Sequence, residues 1–299
     1  MTVTMQTNIM QSNVSTNVAA VTPIDANCKI AFIGGGNMAQ ALIGGLLAQQ
    51  IKPSQIHVAE PVEALHAALT RLGVQVTVDN QHAIENADVV ILAVKPQVMA
   101  QVLTPLCGQF KNQLIISIAA GVTISTLSRL LGGYARIVRA MPNTPALIQA
   151  GATGLYAPNA VDQAARELAG QVLSSAGLVL WVEQENLLDA VTAVSGSGPA
   201  YFFYMMQAMI EAGEAQGLSN AQATALTLQT ALGAAKMASH SEHTPAQLRK
   251  NVTSPNGTTQ AAIETLDAAQ VNIHIIAALH AAAKRSAELA VALDQSSTT

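Results

Sequence analysis

Aromatic residues make up only 3% of this 299-residue chain, with a single tryptophan, and charged residues only 11%. Within a hydrophobic content of 50%, the core must therefore be built from alanine, leucine, valine and isoleucine. The 14 lysines and arginines are scattered and the formal charge is −4. That leaves no basic field for nucleic acid and no cationic cluster for an anionic membrane surface. Two cysteines, Cys28 and Cys107, provide neither a disulfide framework nor zinc-ligand spacing, a pattern that fits a reducing compartment. No apolar run reaches the length of a membrane span. The longest candidates, Ala87–Val94 and Ile275–Ala283, suit a buried strand and a buried helix. Residues 1–27 contain no lysine or arginine, so they lack the basic start of a signal peptide, and their polar composition reads as a disordered extension. The expectation is a soluble, cytoplasmic protein.

Small residues are plentiful where aromatics are scarce, and their placement is the main signal. The run Lys29-Ile30-Ala31-Phe32-Ile33 ends in Gly34-Gly35-Gly36-Asn37-Met38-Ala39, and an apolar helix pattern follows at Ala41, Leu42, Leu46 and Leu47. In a strand–turn–helix unit, Gly34 permits the tight turn and Gly36 lets backbone approach a pyrophosphate. Ala39 lets the helix pack close to the strand, and the helix N-terminus offers free N–H groups to phosphate oxygens. A glycine-rich turn can also be purely structural. The preceding strand, the following helix and an acidic residue, Glu60, after the next strand favour dinucleotide binding.

The alternation continues to about residue 182. Apolar strand candidates are 29–33, 55–59, 74–78, 88–94 and 113–118, with weaker ones at 135–140, 152–157 and 178–182. Helical patterns lie between them, as at 61–72, 96–107 and 160–176. Such alternation predicts a parallel sheet covered on both faces. After Trp181 the chain turns alanine- and leucine-rich with almost no β-branched runs. Ser219–Gln222 and Thr244–Gln247 read as capping boxes, the second with Pro245 in the first helical position. The predicted architecture is α/β: an extension over 1–27, a Rossmann-type dinucleotide-binding domain over 28–185, and an all-helical dimerisation domain over 186–299. Gly213, Gly217, Gly233, Ala234 and Ala235 would let helices approach closely. The thin cover of alanine side chains predicts a homodimer.

Several segments could carry chemistry. Ala93-Val94-Lys95-Pro96 closes the fourth strand, where ligands bind in open α/β sheets, although Lys95 can equally be a solvated lysine. Arg139–Pro145 ends another strand with two prolines; Asn143 and Thr144 can bond a ligand or simply stiffen an interdomain turn. Ser195-Gly-Ser-Gly-Pro-Ala-Tyr201 opens a long helix. A nucleophilic serine there lacks an evident His–Asp partner and the strand–turn–helix context that activates it. Thr253-Ser-Pro-Asn-Gly-Thr-Thr259 delivers Thr258 and Thr259 to the first turn of a helix, a place suited to a carboxylate, or to ordinary N-capping. In His240-Ser-Glu242-His243 the histidine pair lies at i, i+3 near a helix end with no third ligand in view, so no metal site is expected. His274 and His280 read as core or interface residues.

Taken in order, these segments resemble pyrroline-5-carboxylate reductases over about residues 29–293. The resemblance rests on Ile33–Ala39, Ala93–Pro96, Met141-Pro-Asn-Thr-Pro145, Ser195–Tyr201 and, most specifically, Gln247-Leu-Arg-Lys-Asn-Val-Thr-Ser-Pro-Asn-Gly-Thr-Thr259. It implies reduction of 1-pyrroline-5-carboxylate to proline by NADH or NADPH, the last step of proline biosynthesis. Gly34 to Ala39 would hold the pyrophosphate, Asn80 would lie near the adenosine ribose, and 93–96 would border the nicotinamide side. Ala119, Ala120 and Asn143 would lie close to the nicotinamide ring. Val252, Ser254, Gly257, Thr258 and Thr259 would hold the substrate, with the Thr259 hydroxyl on the ring nitrogen. Family members interlock as dimers through the helical domain, often assemble further into decamers, and can share substrate residues between subunits.

The chemistry asks for a carboxylate anchor, a nitrogen partner and an apolar wall, because the cofactor carries the hard step. Thr259 is too weak an acid to supply a proton, so its expected role is orientation and proton relay. Many relatives carry a small hydroxyl residue or an arginine where Glu60 stands, 26 residues after Gly34 against a usual spacing of about 20. A carboxylate there accepts from a ribose 2′-OH and repels a 2′-phosphate, which leans narrowly towards NADH. An outward-turned Glu60 would leave both cofactors tolerated. Two further readings stay open at this level. A β-hydroxyacid dehydrogenase shares the layout but needs a catalytic lysine on the first long helix of the second domain, and 197–217 contains none. A nucleotide-sensing module without turnover would have no use for the hydroxyl-lined helix start at 254–259.

Overall fold

The computed structural model describes residues 24–296. The expected disordered extension therefore falls mostly outside the described residues. Its last four residues form a turn, closed by the Cys28 N–H donating to the Asp25 carbonyl at 2.9 Å, and Ile24 packs on the core.

An eight-stranded sheet forms one part of the chain. Its strands are β1 (Ile30–Ile33), β2 (Ile56–Ala59), β3 (Gln75–Thr77), β4 (Val89–Leu92), β5 (Leu114–Ser117), β6 (Ile137–Met141), β7 (Gly151–Tyr156) and β8 (Gly177–Trp181). Their spatial order is β3-β2-β1-β4-β5-β6-β7-β8, so the order reverses between β1 and β4, the switch point where such sheets bind ligands. The central strands are buried on both faces, which is why they read as unbroken apolar runs. Ile30 and Phe32 face a cluster that includes α1 (Asn37–Ala48) and α6 (Gln163–Ser174). Ala31 and Ile33 face the opposite cluster, with α3 (Asn80–Ile84), α4 (Met99–Leu103) and α5 (Ile124–Leu130). Helix α2 (Glu63–Arg71) follows β2.

The expectation of a wholly parallel sheet is corrected at one pairing: β7 runs antiparallel to β6, and β8 parallel to β7. The reason is connection length. Only residues 142–150, built around the 3-10 turn Thr144–Ile148, join β6 to β7, too little chain for the crossover that a parallel pair requires. Close approach of α1 to α6 depends on Gly45, where a Cβ would lie 2.1 Å from the Ser175 carbonyl oxygen.

The rest of the chain is helical: α7 (Leu187–Val191), a π turn over Thr192–Gly196, α8 (Gly198–Ala215), α9 (Asn220–Ser239), α10 (Pro245–Asn251), α11 (Thr258–Ala268) and α12 (Val271–Ser296). Helices α8 and α9 form a hairpin in which Gly213 sits against Ala223. The Ser219 capping box forms as expected. At Thr244 only half of the expected box is present: its hydroxyl accepts from Gln247 N–H, but the Gln247 side chain donates to Asn251 instead. The expectation of a buried helix at Ile275–Ala283 is also corrected for the single protomer, where Ile275 and Ile276 are about half exposed and His274 and His280 are exposed. Phe202, Phe203 and Tyr204 on α8 are each more than 60% exposed. Contiguous apolar exposure on this scale marks an association surface. No described helix is long and apolar enough to cross a membrane.

Candidate functional site

The chain's glycine signature lies at the switch point. Gly34 leaves β1 with φ +98°, a region that L side chains avoid, and a Cβ there would come within 2.7 Å of the Ala93 carbonyl oxygen. The turn after β1 and the turn after β4 thus pack directly on each other. Gly36 is the N-cap of α1, in extended conformation, with no side-chain cap and no acidic residue in the first turn. Nothing lies within 4 Å of where its Cβ would be. The start of α1, Asn37-Met38-Ala39, therefore presents helix N–H groups and dipole to open space at a point where an anion would be stabilised. The Gln40 side chain steadies the turn by donating to the Gly35 carbonyl at 2.8 Å. Ala39 is fully buried, consistent with close packing of α1 on the sheet.

Glu60 follows β2 and turns inward, at 5% exposure, rather than to solvent. One carboxylate oxygen accepts from Gly35 N–H at 2.7 Å and the other from Val62 N–H at 2.8 Å. The His66 ring donates to the Glu60 carbonyl at 2.7 Å. Each carboxylate oxygen keeps a lone pair free, and the negative charge lies against the glycine turn. Next along the same edge is Asn80, half-buried at the start of α3, behind the N-cap Asp79 that accepts from Gln81 and His82 N–H.

On the other side of the switch point, Ala93 and Val94 are half-buried, Lys95 is exposed, and Pro96 opens a 3-10 turn. After β5 come Ala119, buried, and Ala120, exposed. Asn143 follows β6 and is 8% exposed, with both ends of its amide on the protein: Nδ2 donates to the Ser195 carbonyl and Oδ1 accepts from Ala152 N–H. It ties the β6 turn to β7 and to the π turn before α8. All these residues cluster along the carboxyl-end edge of the sheet.

The residues expected to hold a substrate are elsewhere, on the helical part. Asn256, at φ +57°, and Gly257 make the turn into α11, with Gly257 as an N-cap that no side chain caps. A Cβ on Gly257 would meet the Ser254 hydroxyl oxygen at 2.4 Å. Thr258 is exposed, Thr259 is half-buried, and Val252 is 60% exposed on the protomer. The hydroxyls of Thr253 and Thr265 bond back to their own helices. The Thr259 hydroxyl makes no hydrogen bond among the described residues. Helix α11 packs chiefly on α12.

Two long-range arrangements had no local sequence signal. Arg139, buried within β6, pairs with Glu185 at 2.8 Å, and the same carboxylate oxygen accepts from Ile124 N–H at the start of α5. Asp294, near the end of α12, accepts from the Thr126 hydroxyl at 2.5 Å and from Arg129 at 3.0 Å; these two bonds hold its carboxyl below the usual range. The His240 ring faces the Lys236 carbonyl of its own helix at 2.8 Å, and no group of three His, Cys, Asp or Glu among the described residues could hold a metal ion.

Residues 185–289 match the family model for pyrroline-5-carboxylate reductase dimerisation, and residues 29–121 match that for coenzyme F420-dependent NADP oxidoreductases. The pyrroline-5-carboxylate reductase of Pseudomonas aeruginosa is 53% identical over 269 residues, which cover 89% of this chain and 98% of that protein. The chain belongs to the pyrroline-5-carboxylate reductase family. The structure of the Coxiella burnetii reductase aligns at a TM-score of 0.83 and 44% identity over 88% of this chain and 98% of that one. The Plasmodium falciparum reductase, solved with NADP bound, aligns at 0.79 and 28% identity over 89% and 99%. As a member of this reductase family the chain is an oxidoreductase that uses a nicotinamide cofactor and forms a homo-oligomer through its helical part. The β-hydroxyacid dehydrogenase and non-catalytic readings are set aside by that membership.

Proposed function

We propose that this protein reduces 1-pyrroline-5-carboxylate to L-proline at the expense of NADH or NADPH, the last step of proline biosynthesis, in the cytoplasm. The observation that carries the reading is the pairing of an uncapped, open helix start at Gly36 with a second uncapped helix start at Gly257 that displays the free Thr259 hydroxyl. One fits the pyrophosphate and the other a small carboxylate beside a ring nitrogen. In this reading 28–185 is the dinucleotide-binding domain and 186–299 the dimerisation and substrate domain.

Ile33 to Ala39 cradle the pyrophosphate, Glu60 and Asn80 meet the adenosine ribose, and Ala93, Val94, Lys95 and Pro96 border the nicotinamide side with Ala119, Ala120 and Asn143. When bound, the nicotinamide supplies the hydride that the imine carbon receives. Thr258 and the α11 N-terminus hold the substrate carboxylate, Val252, Ser254 and Gly257 shape the pocket, and the Thr259 hydroxyl orients the ring nitrogen and relays its proton. Cofactor oxidation that depends strictly on added pyrroline-5-carboxylate supports the assignment; oxidation indifferent to it contradicts the assignment.

Glu60 sets a preference for NADH over NADPH in this proposal. Its charge is buried beside the glycine turn, where the carboxylate can accept from a ribose hydroxyl and repel a phosphate. Glu60→Gln should remove that charge and keep one of the two backbone bonds, and Glu60→Ser should remove the charge and both bonds. Each should raise kcat/KM for NADPH relative to NADH, by about tenfold for one lost charge–charge repulsion of ~1.4 kcal/mol. A wild type that already prefers NADPH clearly would show that Glu60 does not read the ribose.

Assembly follows from the exposed apolar faces of α8, α9 and α12. An obligate dimer interface is larger and more apolar than a transient one. Light scattering should give a dimer, or a decamer of paired protomers, at micromolar concentration; an active monomer would contradict this.

A further inference from the structure

The C-terminal helix reaches back to the edge of the sheet where the nicotinamide is placed. Helix α12 has 26 residues and so spans roughly 39 Å. It packs on α7 and the π turn, and the Ser286 hydroxyl donates to Asp189 at 2.6 Å. Its last turns then lie over Gly121, the residue after Ala120. Gly121 has φ +75°, and a Cβ there would meet Leu293 at 3.3 Å and the Ala290 nitrogen at 3.5 Å. Leu293 also packs against the cluster that contains Ala119, Val122 and Leu127.

We propose that Asp294 is a positioning residue for hydride transfer: by clamping α12 to Thr126 and Arg129 of α5, it fixes the Ala119–Gly121 turn that walls the nicotinamide. The proposal rests on the reading that Ala119 and Ala120 border that ring. Leu293 lies on the turn itself, while the bonds of Asp294 hold α12 to Thr126 and Arg129, five and eight residues further along the chain from Gly121. Leu293 supplies the apolar contact, the Gly121 backbone permits the close approach, and Asp294 supplies the directional bonds. Thr126 is buried, so its hydroxyl has a fixed direction, and its bond to Asp294 sets the register of α12 on α5. Beyond the packing of Ala119 in the core, the turn's own N–H groups make a single weak hydrogen bond among the described residues. The Ser117 hydroxyl accepts only a long bond, 3.4 Å, from Ala119 N–H. A wall held this way sets the distance over which a hydride moves, and displacement by an ångström costs catalysis heavily.

The test compares Asp294→Ala, Asp294→Asn and Thr126→Val in the full-length oligomer. Asp294→Ala should speed amide hydrogen exchange locally over 119–127 and weaken NADH binding. It should also lower kcat/KM by about tenfold, with the apoprotein's melting temperature and oligomeric state nearly unchanged. Asp294→Asn should recover most of each loss, because its amide oxygen still accepts from Thr126. Thr126→Val should reproduce the alanine effects from the other side of the bond. Wild-type exchange and kinetics in Asp294→Ala would overturn the proposal. So would an Asp294→Asn variant as impaired as the alanine variant, with exchange raised across the whole chain. Ala120→Leu separates this from the underlying reading: it should obstruct the nicotinamide whatever Asp294 does. If Ala120→Leu is silent, the placement of the ring fails and the proposal with it; if Ala120→Leu is damaging while Asp294→Ala is silent, only the positioning role fails.

Discussion

Gly36→Ala should leave the protein folded and deprive it of its cofactor. Gly36 has ordinary extended geometry, and beyond its chain neighbours a Cβ would meet no atom of the described residues within 4 Å, so the apoprotein has room for it. The expected change in folding stability is at most about 1 kcal/mol, from replacing glycine at an N-cap. The space that a methyl group fills is the space a pyrophosphate needs, and we expect affinity for NADH and NADPH to fall about a hundredfold, or ~2.8 kcal/mol. Gly34→Ala is the contrasting case. Its left-handed backbone and its 2.7 Å approach to the Ala93 oxygen are demands of the fold itself. Alanine there costs roughly 1–2 kcal/mol for the backbone alone, and the clash adds to it. Cofactor titration and denaturant unfolding on both variants separate the two roles. A Gly36→Ala protein that binds NADH like the wild type would remove the α1 start from the cofactor site.

Thr259→Ala should slow turnover by roughly ten- to a hundredfold, matching the loss of one hydrogen bond of about 1.5–3 kcal/mol to a charged group. Folding and cofactor binding should barely change. The hydroxyl has no hydrogen-bond partner among the described residues, so its removal breaks no hydrogen bond among them. Thr253 and Thr265 serve as internal comparisons, since their hydroxyls bond their own helices. Single-turnover hydride transfer, followed by cofactor absorbance, is the measurement. A rate equal to the wild type's would take Thr259 out of the mechanism.

Much of this was legible in the chain because the informative features are local. The strand–glycine–helix unit at 30–39 announces itself through backbone needs that only particular residues meet, and the buried strands β1, β4 and β5 declare themselves as short apolar runs. The acidic residue after β2 was visible too, but its direction was not: whether Glu60 faces solvent or the glycine turn depends on the Gly35 and Val62 N–H groups that fold places around it. The reversal of β7 is legible in hindsight from the few residues between the strand candidates at 135–140 and 152–157, too short a stretch for a parallel crossover. The box at Thr244 is only half formed because Asn251, one turn on, takes the Gln247 side chain. Arg139–Glu185 and Asp294–Thr126 join residues 46 and 168 positions apart, and no spacing rule reaches that far. The exposure of Ile275–Ala283 on the single protomer has no signature in the sequence, because an apolar stretch does not say which chain covers it.

In the proposed function, a nicotinamide bound along the carboxyl-end edge of the sheet supplies hydride to a cyclic imine held at the α11 start. The most direct test is to supply pyrroline-5-carboxylate with NADH carrying deuterium at the transferring C4 position, and to examine the product by mass spectrometry and NMR. The account predicts proline with one deuterium on the ring carbon that had been the imine carbon, and a reaction suppressed in step by Gly36→Ala and Thr259→Ala. Proline without deuterium, or cofactor oxidised with no proline formed, would contradict it.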